Sequence, residues 1–173
     1  MHCNPRLETS ARTSVAPLRV MVVDDHPLVR EGLATFIASQ KDLACCAVLG
    51  SGDEVFEAVL AQGPDLILLD FRLGSADGFE LIKALTTRFA GVRILVISVF
   101  DQVLYAERVL RAGAMGYIMK ERATDDILDA IRAVGDGRFY LSPGFTPAML
   151  SQNGVTTFPA CDDLTISSSS SHD

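Results

Sequence analysis

A few side chains that could do chemistry each follow a short apolar run of strand length. Asp24 and Asp25 follow 18–23, Asp70 follows 65–69, Ser98 closes 92–98, and Lys120 follows 116–119. Three carboxylates brought to one edge of a sheet repel one another, and without compensation at least one holds a proton. A hard divalent cation together with a lysine resolves that conflict. Mg²⁺ takes octahedral oxygen ligation from one or two carboxylates, waters and a substrate phosphate oxygen, which suits such a cluster. The matching chemistry is phosphoryl transfer onto a carboxylate. Metal and lysine neutralise the phosphoryl charge while an aspartate oxygen attacks in line, and a hydroxyl at Ser98 is placed to contact a phosphate oxygen.

Each of these residues also has an ordinary structural reading. Asp24-Asp25 alone is equally a turn or an N-cap pair, and Ser98 alone is more often a helix cap. It is their convergence with Asp70 and Lys120 at matching strand ends that favours a site. His26, beside Pro27 at a helix start, reads as a loop residue and is left outside the site. Leu104, Arg108 and Arg111 share a helical face, with Tyr105 adjoining, and a solvated face is the plain reading of that spacing.

The elements that must position these groups follow from periodicity. Strand-length runs at 18–23, 43–49, 65–69, 92–98 and 116–119 alternate with helical patterns near 27–39, 53–62, 78–89, 102–112 and 124–134. In the last helix Thr124 is the expected N-cap, with Asp125 and Asp126 in the first turn and Ile127, Leu128, Ile131 and Val134 as the buried stripe. Gly63-Pro64 is a stop signal for the second helix. Continuous apolar strands such as Leu66-Ile67-Leu68-Leu69 in strict βα alternation imply an α/β fold, with a parallel sheet covered by helices on both faces. Ligands of such sheets gather at the carboxyl ends of the strands.

Composition narrows the function class. The chain has 173 residues, enough for one domain with a tail, and its 49% hydrophobic content supplies a core. The net charge of −7 argues against nucleic acid as the main partner. No apolar run approaches the roughly 20 residues of a membrane span, and the first residues lack a signal peptide's apolar core, so no membrane partner and a cytoplasmic location are expected. Cys45 and Cys46 lie inside an apolar run and Cys3 and Cys161 near the ends, without metal spacing, which reads as free thiols.

The runs Val22-Val23-Asp24-Asp25-His26-Pro27-Leu28-Val29-Arg30-Glu31-Gly32-Leu33, Leu68-Leu69-Asp70 with Asp77-Gly78, and Gly113-Ala114-Met115-Gly116-Tyr117-Ile118-Met119-Lys120 resemble the receiver domain of two-component response regulators. The Asp-Asp-His-Pro opening is similar to the NarL/FixJ class. The resemblance covers roughly 18–140 and implies a flavodoxin-like (βα)5 fold, doubly wound, with five parallel strands in the order 2-1-3-4-5. It implies that Asp70 is the phosphoacceptor and that Asp24, Asp25, Asp70 and the Arg72 backbone carbonyl hold Mg²⁺. By the same resemblance Lys120 and Ser98 contact the phosphoryl group, while Ser98 and Tyr117 are the switch hydroxyl and switch aromatic. Tyr117 is expected to rotate inward on activation.

Some positions depart from that pattern. Gly74 stands where the family usually has proline, so a more mobile loop is expected. Glu121 replaces the proline that follows the lysine in other receiver classes, which removes the basis for a cis peptide there. Val99 and Phe100 replace a small and then a polar residue, and with Arg72 they border the path of a hydrolytic water. Residues 1–17 read as a flexible leader, 18–140 as the receiver, and 141–173 as a linker remnant with a disordered Ser-rich tail. Residues 151–173 contain no lysine or arginine, so they supply neither a recognition helix nor phosphate-binding cations.

The leading reading is thus a phospho-receiver rather than an enzyme. It is charged by a histidine kinase or phosphotransfer protein and signals through protein contacts, with a homodimer or an unknown output protein as partner and no nucleic acid bound by itself. A truncated DNA-binding regulator is the alternative. An aspartyl phosphatase is disfavoured because the second acid it needs two residues after the nucleophile is Arg72 here. A nucleotide site lacks a Gly-rich loop after the first strand.

Overall fold

The computed structural model describes residues 16–74, 77–100, 102–142 and 164–166. Its elements in order are β1 (Leu18–Val23), α1 (Pro27–Ala38), β2 (Leu43–Leu49), α2 (Val55–Gln62), β3 (Leu66–Asp70), α3 (Gly78–Arg88), β4 (Arg93–Ser98), α4 (Gln102–Arg111), β5 (Gly116–Met119), α5 (Ala123–Gly135), β6 (Phe139–Leu141) and β7 (Leu164–Ile166). All strand pairs are parallel, and the sheet order is β2-β1-β3-β4-β5-β6-β7.

Alternation along the strands divides the core in two. Met21, Val23, Ile67, Leu69, Ile94, Val96 and Tyr117 face one side, where Val55 and Val59 of α2, Ile82 and Leu85 of α3, and Ala106 and Val109 of α4 cover them. Val20, Val22, Leu66, Leu68, Leu95, Ile97 and Ile118 face the other, under Ile37 of α1 and Ile127, Ile131 and Val134 of α5. The central strands are buried on both faces, which is why they read as unbroken apolar runs. The reversal of strand order at β1, from β2 on one side to β3 on the other, places a crevice at the carboxyl ends of β1 and β3.

Local chemistry sets the helix ends. Pro27 occupies the first turn of α1, where its missing N–H costs nothing. Gly63 closes α2 at φ +53, and its N–H donates to the Val59 carbonyl. Asp77 caps α3 by accepting the Phe79 N–H at 2.9 Å. Gly78 then lets α3 approach the loop after Asp70, since a Cβ there would stand 2.6 Å from the Phe71 carbonyl oxygen.

The expected order β2-β1-β3-β4-β5 holds, and the sheet is extended beyond it by β6 and β7; two other expectations need correction. Edge backbone groups left open beside β5 are paired first by Phe139–Leu141 and then by Leu164–Ile166, whose Leu-Thr-Ile composition suits a strand. Leu141 and residues 164–166 are therefore strand rather than linker or disordered tail; the remainder of 143–173, like the leader at 1–15, lies outside the described residues. The N-cap of α5 is Arg122 rather than Thr124, because a 3₁₀ turn at Lys120–Arg122 runs straight into the helix and the Ala123 N–H donates to the Lys120 carbonyl. Cys45 and Cys46 are free and half-buried on β2; Cys3 and Cys161 lie outside the described residues. Among the described residues no peptide bond is cis, and no helix is long and apolar enough to cross a membrane.

Candidate functional site

Three strand ends deliver the acidic groups to the crevice. Asp24 follows β1 and is fully buried, Asp70 is the last residue of β3 and is buried, and Asp25 is partly exposed. Lys120, just past β5, reaches back between them: its Nζ lies 2.8 Å from Asp24 Oδ2 and 2.8 Å from Asp70 Oδ2. Three further oxygens are engaged from the backbone. Asp24 Oδ1 accepts the His26 N–H at 2.8 Å, Asp70 Oδ1 accepts the Arg72 N–H at 3.2 Å, and Asp25 Oδ2 accepts the Gly74 N–H at 3.3 Å. That last bond explains the glycine at 74: its φ of +58 is closed to proline, which also lacks the N–H.

Burial, with Asp24 adding repulsion, raises the Asp70 carboxyl above the ordinary aspartate range, although Lys120 and the Arg72 N–H pull it down. Burial works against the Lys120 ammonium, but its bonds to Asp24 and Asp70 outweigh that cost and hold its pKa up. Because the folded state binds the Asp70 proton more tightly than the unfolded chain does, the associated stability is present below the unfolded pKa and is lost as pH rises through the folded one. Asp70→Asn should therefore be more stable than the parent at neutral pH in metal-free buffer. The gap should close as pH falls to about 3, below the ordinary aspartate range. Thermal unfolding across that window is the check, and a neutral-pH variant no more stable than the parent would contradict it.

One ligand atom from each of Asp24, Asp25, His26 and Asp70 lies within 4.8 Å of all the others. Three carboxylates against one ammonium leave an excess of negative charge that a divalent cation balances. The donor set therefore fits Mg²⁺.

Ser98 and Tyr117 meet at one peptide. Ser98 Oγ accepts the Phe100 N–H at 3.1 Å, and the Tyr117 hydroxyl donates to the Phe100 carbonyl at 3.0 Å. Tyr117 is fully buried in this structure, and the Phe100 carbonyl gives its hydroxyl a partner there. Phe100 itself stacks on Tyr105 with ring centroids 4.9 Å apart and meets the edge of Phe71 at 6.1 Å, while the Arg72 guanidinium lies over it at 5.7 Å. Val99 turns outward at 56% exposure. On α4, Arg108 lies over the Phe79 ring at 4.1 Å and Arg111 pairs with Glu107 at 2.7 Å, so that face is engaged within the chain.

Residues 20–132 match the response regulator receiver domain. This chain belongs to that family. As a receiver it is 31% identical over 135 residues to the transcriptional regulatory protein DegU of Brevibacillus brevis, covering 78% of this chain and 57% of that protein. It is 31% identical over 152 residues to the nitrate/nitrite response regulator protein NarL of Escherichia coli K12, covering 86% and 70%. Among solved structures, the signal receiver domain of the response regulator NarL from Mycobacterium tuberculosis superposes with a TM-score of 0.67 at 30% identity, covering 72% of this chain and all of that one. A LuxR-family two-component response regulator from Aurantimonas sp. SI85-9A1 gives 0.69 at 26%, covering 80% and 98%. The receiver spans 55–61% of the length of several curated relatives, DegU among them.

The structure brings Asp24, Asp25, Asp70 and Lys120 together and joins Ser98 at the end of β4 to Tyr117 of β5 through the Phe100 peptide. Sequence reasoning left out His26, whose Nδ1 stands 2.8 Å from Asp25 Oδ1 and 3.4 Å from Asp24 Oδ1. Its signal was adjacency: the side chain directly follows two acidic residues, and the proline after it favours an extended backbone there. It also missed the Phe71–Phe79–Phe100–Tyr105 cluster, which joins residues from separate loops and helices and has no periodic signature.

Proposed function

We propose that this receiver is a phosphorylation-dependent switch of two-component signalling, with Asp70 as phosphoacceptor and a histidine kinase or phosphotransfer protein as donor. The observation that carries this is Lys120 Nζ at 2.8 Å from both Asp24 and Asp70 in a pocket where three carboxylates converge. An Asp70 carboxylate oxygen attacks the phosphorus in line, the new O–P bond forms, and the bond to the donor's histidine nitrogen breaks, the proton on the ring's other nitrogen letting it leave as a neutral imidazole. Asp24, Asp25, Asp70 and the Arg72 carbonyl are the residues that would hold Mg²⁺, which supplies charge neutralisation to the phosphoryl oxygens when bound. Lys120 remains as the second cation, and the Ser98 hydroxyl donates to a phosphoryl oxygen. Exposed Leu28, with Val29, Gly32 and Phe36, lines an apolar groove that Lys120 also borders, giving a donor protein a surface to meet.

The output follows from the Phe100 peptide. If Ser98 turns its hydroxyl to the phosphoryl group, the Phe100 N–H exchanges its acceptor while Tyr117 still holds the carbonyl, so the loop and the adjoining α4–β5 face shift together. That face would meet an output protein or a second copy, with no nucleic acid bound by the receiver itself. Incubation with a small acyl phosphate and Mg²⁺ should give a singly phosphorylated species that fails to form with chelator. Equal labelling in chelator would count against the reading.

The aspartyl phosphate should be long-lived. Phe100, under the Arg72 guanidinium, offers no hydrogen bond to orient a water for in-line attack, so positioning that a polar side chain would provide is absent. Phe100→Glu should shorten the phosphoryl half-life measured by phosphate release. An unchanged or longer half-life would show that Phe100 does not guard the phosphorus.

A further inference from the structure

The imidazole of His26 changes which ions this pocket can take. His26 is the N-cap of α1, with φ −84 and ψ 109, and its side chain makes no capping bond. The extended backbone, Pro27 behind it and the His26 N–H bonded to Asp24 Oδ1 together aim the ring at the carboxylates. Nδ1 lies 2.8 Å from Asp25 Oδ1 and 3.4 Å from Asp24 Oδ1. Around an octahedral ion with bonds of about 2.1 Å, neighbouring ligands stand about 3 Å apart and opposite ones about 4.2 Å. A nitrogen 2.8 and 3.4 Å from two carboxylate oxygens sits at neighbouring-ligand spacing, and Asp24, the oxygen donor beneath it, is wholly buried.

Mg²⁺ has little use for that nitrogen, being a hard ion that prefers oxygen and keeps waters. Borderline ions gain from it: imidazole suits Zn²⁺, Cu²⁺ and Ni²⁺, and at a given site Co²⁺ and Zn²⁺ bind more tightly than the hard ion Mn²⁺. We propose that His26 Nδ1 is a fourth protein ligand beside Asp24, Asp25 and Asp70 for borderline divalent ions, so that the pocket binds Zn²⁺ or Co²⁺ through a mixed carboxylate–imidazole set while binding Mg²⁺ through oxygen alone. The inference rests on the acidic-pocket reading above and adds the ion class that pocket selects. The ring is 66% exposed, leaving Nε2 free to keep its proton toward water while Nδ1 supplies the lone pair.

The test uses the full chain with His2 and His172 changed to alanine, so that His26 is the one remaining histidine. Zn²⁺ and Mg²⁺ affinities are measured by calorimetry with and without His26→Ala, and protein loaded with Cu²⁺, a borderline ion with an unpaired electron, is examined by pulsed electron paramagnetic resonance for ¹⁴N coupling from a directly bound imidazole. Removing His26 should weaken Zn²⁺ by roughly 10- to 100-fold, leave Mg²⁺ within about twofold because Mg²⁺ takes oxygen ligands, and erase the imidazole coupling. Because the ring is exposed and makes no capping bond, the variant should retain the parent's thermal unfolding. Unchanged Zn²⁺ affinity, or no imidazole coupling before the change, would overturn the assignment while leaving the Mg²⁺ pocket intact. Loss of Mg²⁺ and Zn²⁺ in equal measure would assign His26 a merely structural role. Failure of the parent to bind either ion would overturn the acidic-pocket reading itself.

Discussion

Asp70→Asn should abolish covalent labelling by a small acyl phosphate in the presence of Mg²⁺, while circular dichroism and thermal unfolding show an intact fold. Asp70 is the last residue of β3 and its Oδ2 faces Lys120 at 2.8 Å, so an asparagine of the same shape keeps the packing and loses the nucleophilic oxygen. The other two acids are poorly placed to substitute. Asp24 is fully buried, with its oxygens held by Lys120 and the His26 N–H, and Asp25 is tied to the Gly74 N–H. The effect is near all-or-none because a covalent intermediate needs its nucleophile. The readout is intact-protein mass, with hydroxylamine lability distinguishing an acyl phosphate from a phosphoester. Undiminished labelling in the variant, or a hydroxylamine-resistant linkage, would sink the assignment.

Lys120→Met should cost stability heavily in metal-free protein. The methionine keeps the apolar stem but removes the charge that compensates two buried carboxylates. Breaking a buried ionic cluster from one side strands the other partners, at about 3 kcal/mol or more. For a domain of this size that is a fall in Tm of roughly 10 °C. The folded state holds the Lys120 pKa above its unfolded value, so its contribution is complete below the ordinary lysine range and disappears as pH rises through the folded pKa. The parent should lose stability on that alkaline limb and converge toward the variant. Mg²⁺ should recover part of the deficit by binding the folded carboxylates. A variant within about 1 kcal/mol of the parent would mean that the carboxylates are compensated by something other than Lys120.

These two residues were legible in the sequence because an α/β sheet makes strand ends predictable. Runs such as Leu66–Leu69 are apolar on both faces only when both faces are covered, and the group that ends such a run stands at the sheet's carboxyl edge. The same logic recovered β1, β2 and β5 residue for residue, placed β3 one residue early at both ends and began β4 one residue early. Helix ends were legible where chemistry marks them, as at Gly63 and Pro27. It was less so at α5, where a 3₁₀ turn carries no capping signature and the start moved from Thr124 to Ala123.

Sequence by itself determined the α/β class, its helix and strand alternation, and the identity of Asp24, Asp25, Asp70, Ser98 and Lys120 as the groups to inspect, while Tyr117 entered only through the family resemblance. The strand-end groups follow from period-2 and period-3.6 burial and from which residue types survive at a sheet edge. Only the tertiary structure decided the contacts between separate elements. It placed Lys120 against two carboxylates at once, turned His26 onto Asp25, and gave Gly74 its φ of +58 and its bond to Asp25. It also held the Phe100 peptide between Ser98 and Tyr117 and added β6 and β7 to the sheet. Such contacts join residues tens of positions apart, and their distances depend on how packed faces settle against one another, which no local periodicity encodes.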